Sequence, residues 1–404
     1  MNQTETRVSS LKEAVGRVQG FQSAISLHSH THYSKENLRL LPHYATRLPV
    51  VGRLVQLRLK DYEERHGRPL DFKRAYWTPP ASPCDVLASE TSQIEESLGL
   101  AALVSITDHD SIEAGLFLQQ QRAAALIPIS VEWTIPFAGN TFHVGVHCLP
   151  PDRATEIMRE LAQYTAEPRE EMLAELFILL ERSPETLLIL NHPCWDFMKV
   201  GSAKHDASLQ EFMARWRQHL HALEVNGMRS WLENQEVVNM AEAYELPAVA
   251  GGDRHGLRPN TLLNLSPAKT WGDFAGEIRE CRRSEILVMP SYEEPVPLRD
   301  LATLADALRY YPDYPNCRRR FTDRVFADTE GCGPQPLSFY WAEDEARQPP
   351  WLQAVASLTV ALGSDSVRPV LRRLLSLSGN NHASWKPKVE PRGEALVANT
   401  DAMR

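Results

Sequence analysis

Short β-branched or aliphatic runs recur along roughly the first 290 residues, separated by polar or helix-like stretches. The runs are 23-SAISL-27, 101-AALVSIT-107, 126-LIPISV-131, 141-TFHVGV-146, 186-TLLIL-190, 222-ALEV-225, 247-PAVA-250 and 285-EILVM-289. Between them lie segments with helical character, such as 152–183 and 231–245. Strands alternating with helices predict a parallel β/α fold. The chain contains no internal repeat.

Two segments break this rhythm. Residues 36–85 separate the first two strands by more than an ordinary connection and hold an amphipathic helix around 49–67, then the turn-rich 78-TPPASP-83. The second begins near Met289, with helices expected around 298–311 and 350–363. The expected organisation is therefore a barrel-sized unit over 1–290 with 36–85 inserted as a lid-like helical segment. A helical extension occupies 291–377, and 378–404 reads as a polar, flexible tail.

Composition narrows the class. Of 404 residues, 43% are hydrophobic and 24% charged, the balance of a soluble globular protein. A net charge of −9 argues against a protein built to coat nucleic acid. The N-terminus lacks the apolar core of a secretion signal, and no apolar run is long enough to span a bilayer. Six cysteines (84, 148, 194, 281, 317, 332) are scattered with no C-x-x-C pair, which favours free thiols in a reducing cytosol and a cytoplasmic location. Between 37 and 80, nine Lys/Arg face four acids. That excess reads first as a solvated helix face and second as a surface for an anionic substrate.

The residues just beyond each strand carry the chemistry. The first run leads to His28 and His30, the second to Asp108-His109-Asp110, the third to Glu132. The fifth leads to Asn191-His192-Pro193, the sixth to Asn226 and the seventh to 251-GGDRH-255. Two residues apart on extended backbone, His28 and His30 point to the same side and can grip one cation. Metal-binding side chains thus collect at the carboxyl ends of strands, where β/α barrels place their active sites.

The set 26-SLHSHT-31, 107-TDHD-110, 131-VEW-133, 142-FHVGVH-147, 191-NHP-193 and 252-GDRH-255 resembles the signature of the PHP (polymerase and histidinol phosphatase) family of metal-dependent phosphoesterases. The resemblance covers about residues 22–290 in the family's order. It implies an α/β fold: a distorted seven-stranded, TIM-like β/α barrel of PHP type, here with a helical insertion and a helical C-terminal extension. By the same resemblance His28, His30 and Asp253 hold a first metal, which Glu132 bridges to a second held by His143 and His192. A third is held by His109, His255 and Glu36. Two departures stand out: Ser26 replaces the family's usual Asp, and Lys35 occupies a slot often acidic in relatives.

The reaction implied is hydrolysis of a phosphate monoester. Divalent ions roughly 3.5–4 Å apart neutralise the ester and lower the pKa of a shared water, so that a hydroxide bridging them attacks phosphorus without a serine or cysteine nucleophile. A shell of imidazole and carboxylate suits manganese, iron or zinc, and two or three ions are expected. Asp110, His255 or water would protonate the leaving group, and Arg254 would clamp a phosphate oxygen or form a surface salt bridge. The expected partner is a small phosphorylated metabolite or nucleotide, with no membrane and with the oligomeric state left open. Alternatives are a nuclease or 3′-phosphoesterase acting on nucleic-acid ends, a non-catalytic metal-stabilised scaffold, and hydrolysis of an amide or another ester. Glu224 and Arg229 are candidates for the pocket wall. His32 and His147 are secondary, Cys194 reads as a buried thiol, and His43, His66, His205, His219, His221 and His382 read as solvated.

Overall fold

The computed structural model describes residues 4–14, 16–39, 51–69, 71–121, 127–314, 318–328, 331, 333–341 and 349–377. In chain order the strands are β1 (Glu5–Ser10), β2 (Ser23–Leu27), β3 (Glu36–Asn37), β4 (Ala75–Trp77), β5 (Ala101–Ser105), β6 (Ile129–Phe137) and β7 (Asn140–Leu149). They continue with β8 (Leu187–Asn191), β9 (Ala222–Asn226), β10 (Ala248–Gly251), β11 (Leu262–Ser266), β12 (Arg283–Val288), β13 (Val325–Ala327) and β14 (Gln335–Pro336). Each run expected from the sequence overlaps one of these, and β1, β3, β4, β11, β13 and β14 are additional.

Two five-stranded sheets dominate, ordered β1-β12-β11-β2-β5 and β10-β9-β8-β7-β6. β2 and β5 are parallel, as are β8, β9 and β10, so the expected parallel β/α arrangement holds there. It fails at β7, which is antiparallel to β6 and β8, and at β11, which is antiparallel to β2 and β12. The reason at β7 is local. Ala138 (φ 49) and Gly139 (φ 69) are the only residues between paired Phe137 and Asn140. Two consecutive positive φ values make the two-residue turn that twists in register with a hairpin, and so short a link joins only antiparallel neighbours.

Among the described residues the α/β class holds, and the strands are split between two sheets joined by the single bridges Ser29↔Arg254 and His109↔Glu132 rather than paired continuously around one barrel. β11 lies along β2 through Asn264↔Ile25, Leu265↔Ala24 and Ser266↔Ser23, so the β10 segment meets β2 only past these pairs. There the sheets are stitched together at their carboxyl ends. Gly252 N–H donates to Leu27 O (2.8 Å), Asp253 N–H to His28 O (2.7 Å) and His30 N–H to Arg254 O (2.8 Å). On the other side Asp110 N–H donates to Glu132 O (3.0 Å) and Glu132 N–H to Asp108 O (3.2 Å).

The insertion and the extension are not purely helical. Helices Val51–His66, Val296–Leu308, Pro350–Leu362 and Arg368–Leu377 form as the periodicity predicts. Residues from both segments also build a third sheet, ordered β14-β13-β4-β3. The expected flexible tail, 378–404, lies outside the described residues. The helical stretch expected over 152–183 divides into Ala154–Ala166 and Glu170–Glu181. Pro168 sits between them, and proline both lacks an N–H and disfavours helix in the residue before it.

The core explains the rigidity of the site's platform. Every residue of β8 (LLILN) and β9 (ALEVN) is buried, as suits strands covered on both faces. Trp133, Leu188, Leu190, Phe212 and Leu223 belong to one buried apolar cluster. Burying one such aliphatic or phenyl side chain stabilises the fold by about 1.5–3 kcal/mol.

Candidate metal centre

Three residues at strand ends adopt left-handed backbone. They are His28 (φ 64) after β2, His192 (φ 32) after β8 and Asp253 (φ 54) beyond β10. Non-glycine residues rarely do so, at a cost of about 1–3 kcal/mol each, and such strain clusters at functional sites. Here it turns each side chain out of its strand toward one point.

That point is the Glu132 carboxylate, buried on β6. Oε2 lies 3.0 Å from His28 Nε2, 3.3 Å from His30 Nε2 and 3.2 Å from His109 Nδ1. Oε1 lies 3.1 Å from His192 Nε2 and 3.3 Å from His143 Nδ1. Asp253 Oδ1 stands 3.6 Å from His28 Nε2 and 3.5 Å from His30 Nε2. A second carboxylate collects the rest: Glu36 Oε2 is 3.1 Å from His255 Nε2 and 3.4 Å from His109 Nε2, and Glu36 Oε1 is 3.8 Å from His30 Nδ1. The structure thus brings together His28, His30, Glu36, His109, Glu132, His143, His192, Asp253 and His255. The motifs that bear them stand up to 227 residues apart in the chain (His28 to His255).

The donor set fits cations. Donor atoms of His30, Glu36, His109 and His255 all lie within 4.8 Å of one another, as do those of His28, His30 and Glu132, and those of His109, Glu132 and His143. All are imidazole nitrogens and carboxylate oxygens, the set of manganese, iron or zinc sites. Glu132 Oε2 is fully buried yet makes no hydrogen bond, although three ring nitrogens surround it. A buried carboxylate oxygen without a donor is costly, and a bound cation removes that cost.

A further layer holds these groups in place. Glu224 Oε1 contacts His28 Nδ1 at 2.5 Å, and its Oε2 accepts from His192 N–H (2.9 Å) and Asn226 Nδ2 (3.0 Å). Asn226 Nδ2 also donates to Asp253 Oδ2 (3.3 Å), and Asn191 Nδ2 donates to Glu132 Oε1 (3.0 Å). Ser34 Oγ donates to Glu36 Oε1 (2.6 Å) and accepts from His109 N–H (3.1 Å). Asp108 accepts from Thr31 N–H (2.5 Å) and Thr31 Oγ1 (2.8 Å). Such partners set the tautomer and aim of a ligand. Ser26 donates to Glu90 Oε2 (2.9 Å) and accepts from Asn260 Nδ2 (2.8 Å), so a carboxylate from helix Pro83–Leu98 stands behind β2.

Electrostatics agree with a site made for positive charge. Burial alone would lower His28, but Glu132, Glu224 and Asp253 outweigh it and raise its pKa well above the usual value. His30, 3.1 Å away, goes the other way to about 3 through burial and the His255 charge. Two adjacent imidazoles cannot both hold a proton at that distance. Burial would likewise lower His109, yet Glu132 and Glu36 bring it to about 10. Against their own burial, Glu36 and Glu132 are held well below the carboxylate range by the surrounding imidazoles.

Other residues singled out in the sequence sit elsewhere. Asp110 Oδ1 accepts from Thr134 N–H (2.9 Å) in the middle of β6. The Arg254 guanidinium is buried away from the imidazoles, with Nε donating to Arg258 O (3.2 Å) and Nη1 to Met228 Sδ (3.5 Å). His147 bonds Ser105 Oγ (2.8 Å), and His32 Nδ1 is buried without a partner. Burial pushes the Cys194 thiol up to about 12, far from a nucleophile's range. His205 is not solvated: it is buried between Asn140 Nδ2 (3.1 Å) and Pro193 O (2.9 Å), because helix Ser202–Trp216 packs that face inward. The sequence reading missed Ser34, Glu90 and Asn260 as supports; only the hydroxyl two residues before Glu36 offered a signal.

Comparison with known proteins adds limited information. No family model and no curated protein match the chain. Among solved structures, PsfC from Pseudomonas syringae matches at 14% identity and TM-score 0.42, over 70% of this chain and 97% of its own. A Bifidobacterium adolescentis protein provisionally described as a metal-dependent phosphoesterase matches at 16% identity and TM-score 0.28, over 51% of this chain and 92% of its own. An amidohydrolase from Chromobacterium violaceum with bound sulfate matches at 14% identity and TM-score 0.28, over 44% of this chain and 83% of its own.

Proposed function

We propose that the protein is a metal-dependent phosphoesterase of the PHP type that hydrolyses a phosphate monoester of a small metabolite or nucleotide, its β2 and β5–β10 strands acting as an open barrel. The observation that carries this reading is the Glu132 carboxylate, whose two oxygens face separate imidazole sets, His28, His30 and His109 on one side and His143 and His192 on the other. His28, His30 and Asp253 would hold one ion, His143 and His192 a second, with Glu132 shared; Glu36, His109 and His255 would hold a third. Such ions supply charge neutralisation of the ester and activation of water.

The chain's own groups supply the rest. Glu224 keeps His28 oriented through Nδ1, leaving Nε2 facing Glu132. Trp195 and Phe197 wall the rim against His192 (5.2 Å) and His143 (4.6 Å between ring centroids). The Arg229 guanidinium lies flat on Trp195, 3.9 Å from the ring centre, with no carboxylate at ion-pair distance among the described residues and its Nε without a hydrogen-bond partner. A cation so presented suits a substrate oxyanion, a task the sequence reading gave to Arg254. With His255 assigned to the third ion through Nε2, water would protonate the leaving group. Of the insertion's basic residues, Lys60, Arg65 and Arg74 pair with Glu64, Asp61 and Asp328. No helix among the described residues is long and apolar enough to cross a membrane.

The test is direct. Protein reconstituted with Mn(II) should release phosphate from p-nitrophenyl phosphate or from a panel of nucleotides and sugar phosphates, and His30→Ala should abolish it with the fold intact. Turnover equal to wild type in His30→Ala would sink the reading.

A further inference from the structure

We infer that the C-terminal extension is a working part of the metal centre: it positions Glu36 and His255 and so sets the occupancy of one cation position, a conclusion that rests on the metal reading above. Two independent connections carry it. The first runs through the third sheet. Glu36 pairs with Trp77 across β3 and β4, and Trp77 pairs in turn with Val325 on β13. The ligand therefore stands at one side of a sheet whose far strands come from residues nearly 300 positions away. β3 is two residues long and among the described residues pairs with β4 alone, whose other edge pairs with β13, so its register depends on both.

Side chains on the opposite face of this sheet fasten it. Tyr76 and Phe326 stack at 4.9 Å and 12°. Lys35 caps the pair from the Tyr76 side (5.6 Å) and Arg318 from the Phe326 side (5.4 Å). Just before β13, the buried Arg324 donates to the carbonyls of Ala307 (2.9 Å), Arg309 (2.7 Å), Arg318 (2.8 Å) and Arg319 (3.0 Å), tying the strand to the end of helix Val296–Leu308. Lys35, the departure noted in the sequence, thus acts as a clamp on the accessory sheet.

The second connection reaches His255 from the same helix. Asp306 is buried and its Oδ2 accepts Leu257 N–H at 3.0 Å, two residues after the ligand. Gly256 has no side chain because a Cβ there would stand 2.8 Å from Asp306 Oδ2. Trp77, opposite Glu36, packs toward the His255 ring at 6.2 Å. Of the donors His30, Glu36, His109 and His255, two are therefore held from the extension, whereas His28, His143, His192 and Asp253 are held by the strands and by Glu224, Asn191 and Asn226.

Full-length protein stripped by chelator and titrated with Mn(II), read by bound-metal analysis and electron paramagnetic resonance, tests this. Phe326→Ala and Asp306→Ala should each weaken one equivalent by about 10–100-fold, the range for a lost supporting partner, and leave the others unchanged. Phe326→Tyr, which keeps the stack, should restore it, and Glu36→Gln should remove the same equivalent. Circular dichroism reports whether each variant is folded. Variants that bind the wild-type number of ions with wild-type affinities overturn the inference alone. Proportional loss of every equivalent in a folded variant also overturns it, in favour of a general packing role. A wild-type chain that takes up no Mn(II) removes the metal reading, and this inference with it.

Discussion

The candidate ligands on or just beyond β2, β6, β7, β8 and β10 and the one on β3 converge on one centre from two unlike scaffolds. The former stand on strands of four to ten residues buried in an aliphatic core, and three residues at these strand ends carry left-handed strain. Glu36 stands on a two-residue strand in a sheet held by an aromatic stack, an arginine knot and the Arg74–Asp328 ion pair. A packed core keeps its geometry whatever the site contains. A small sheet whose central strands are only half-buried opens locally at lower free energy. The difference teaches that strand-borne positions are preformed, while the Glu36 position is the adjustable one.

Removing the shared carboxylate should produce the largest effect. Glu132→Ala takes away the one group common to both imidazole sets, and hydrolysis should fall by at least a factor on the order of a thousand. Metal analysis should show every strand-borne equivalent lost. Retention of both with only slower turnover would mean that Glu132 orients rather than binds.

Next, the two scaffolds should separate by stability. Phe212, fully buried beside Phe142 and Phe137, should cost about 3–5 kcal/mol when changed to Ala, with activity per folded molecule unchanged. Phe326→Ala should cost about 1 kcal/mol in global unfolding, because its stack is half-exposed. Denaturant midpoints decide: equal losses would refute the contrast between core and accessory sheet.

A smaller effect probes the support behind His28. Gly251→Ala would drive a Cβ into Glu224 Oε1, and Glu224→Gln removes the charge that pairs with His28 Nδ1. Each should weaken Mn(II) binding by about 10–100-fold. Unchanged affinity in Glu224→Gln would show that the backbone alone aims the imidazole.

These expectations also mark how far the sequence could disclose the site. The ligand motifs were legible because each sits within a few residues of an aliphatic run, so strand-end geometry could be read locally. Antiparallel β7 was hidden by Ala138, which gives little sign of a left-handed turn, and β11 by Asn264, whose amide satisfies Ala250 N–H (2.7 Å) inside the sheet. β3, β4 and β13 were beyond reach: two or three residues show no periodicity, and β4 pairs with strands about 40 and about 250 positions away. Glu36 was named from the resemblance, but its attachment to the extension depends on pairings that no local pattern reveals. His205 looked solvated because both of its contacts, Asn140 Nδ2 and Pro193 O, come from other elements of the chain.

The finest probe is the proton count on metal uptake. In the metal-free protein the carboxylates outweigh burial, raising His28 well above its ordinary value and His109 to about 10, so both carry protons at pH 7. His30, at about 3, is already neutral. The stabilising contribution of His109 to the metal-free fold is complete below about 6.5 and is lost as pH rises through about 10. Ligation needs neutral imidazole, so Mn(II) must displace those protons, and apparent affinity should climb as pH rises from 6 to 8. Calorimetry in two buffers of different ionisation enthalpy should record release on the order of two protons per chain at pH 7. In Glu36→Gln, His109 loses one of the three carboxylates that raise it, so its share of that release should shrink while the share from His28, raised by Glu132, Glu224 and Asp253, persists. Release that vanishes altogether in this variant would mean that the strand-borne half is not preformed, and the contrast between the two scaffolds would fail.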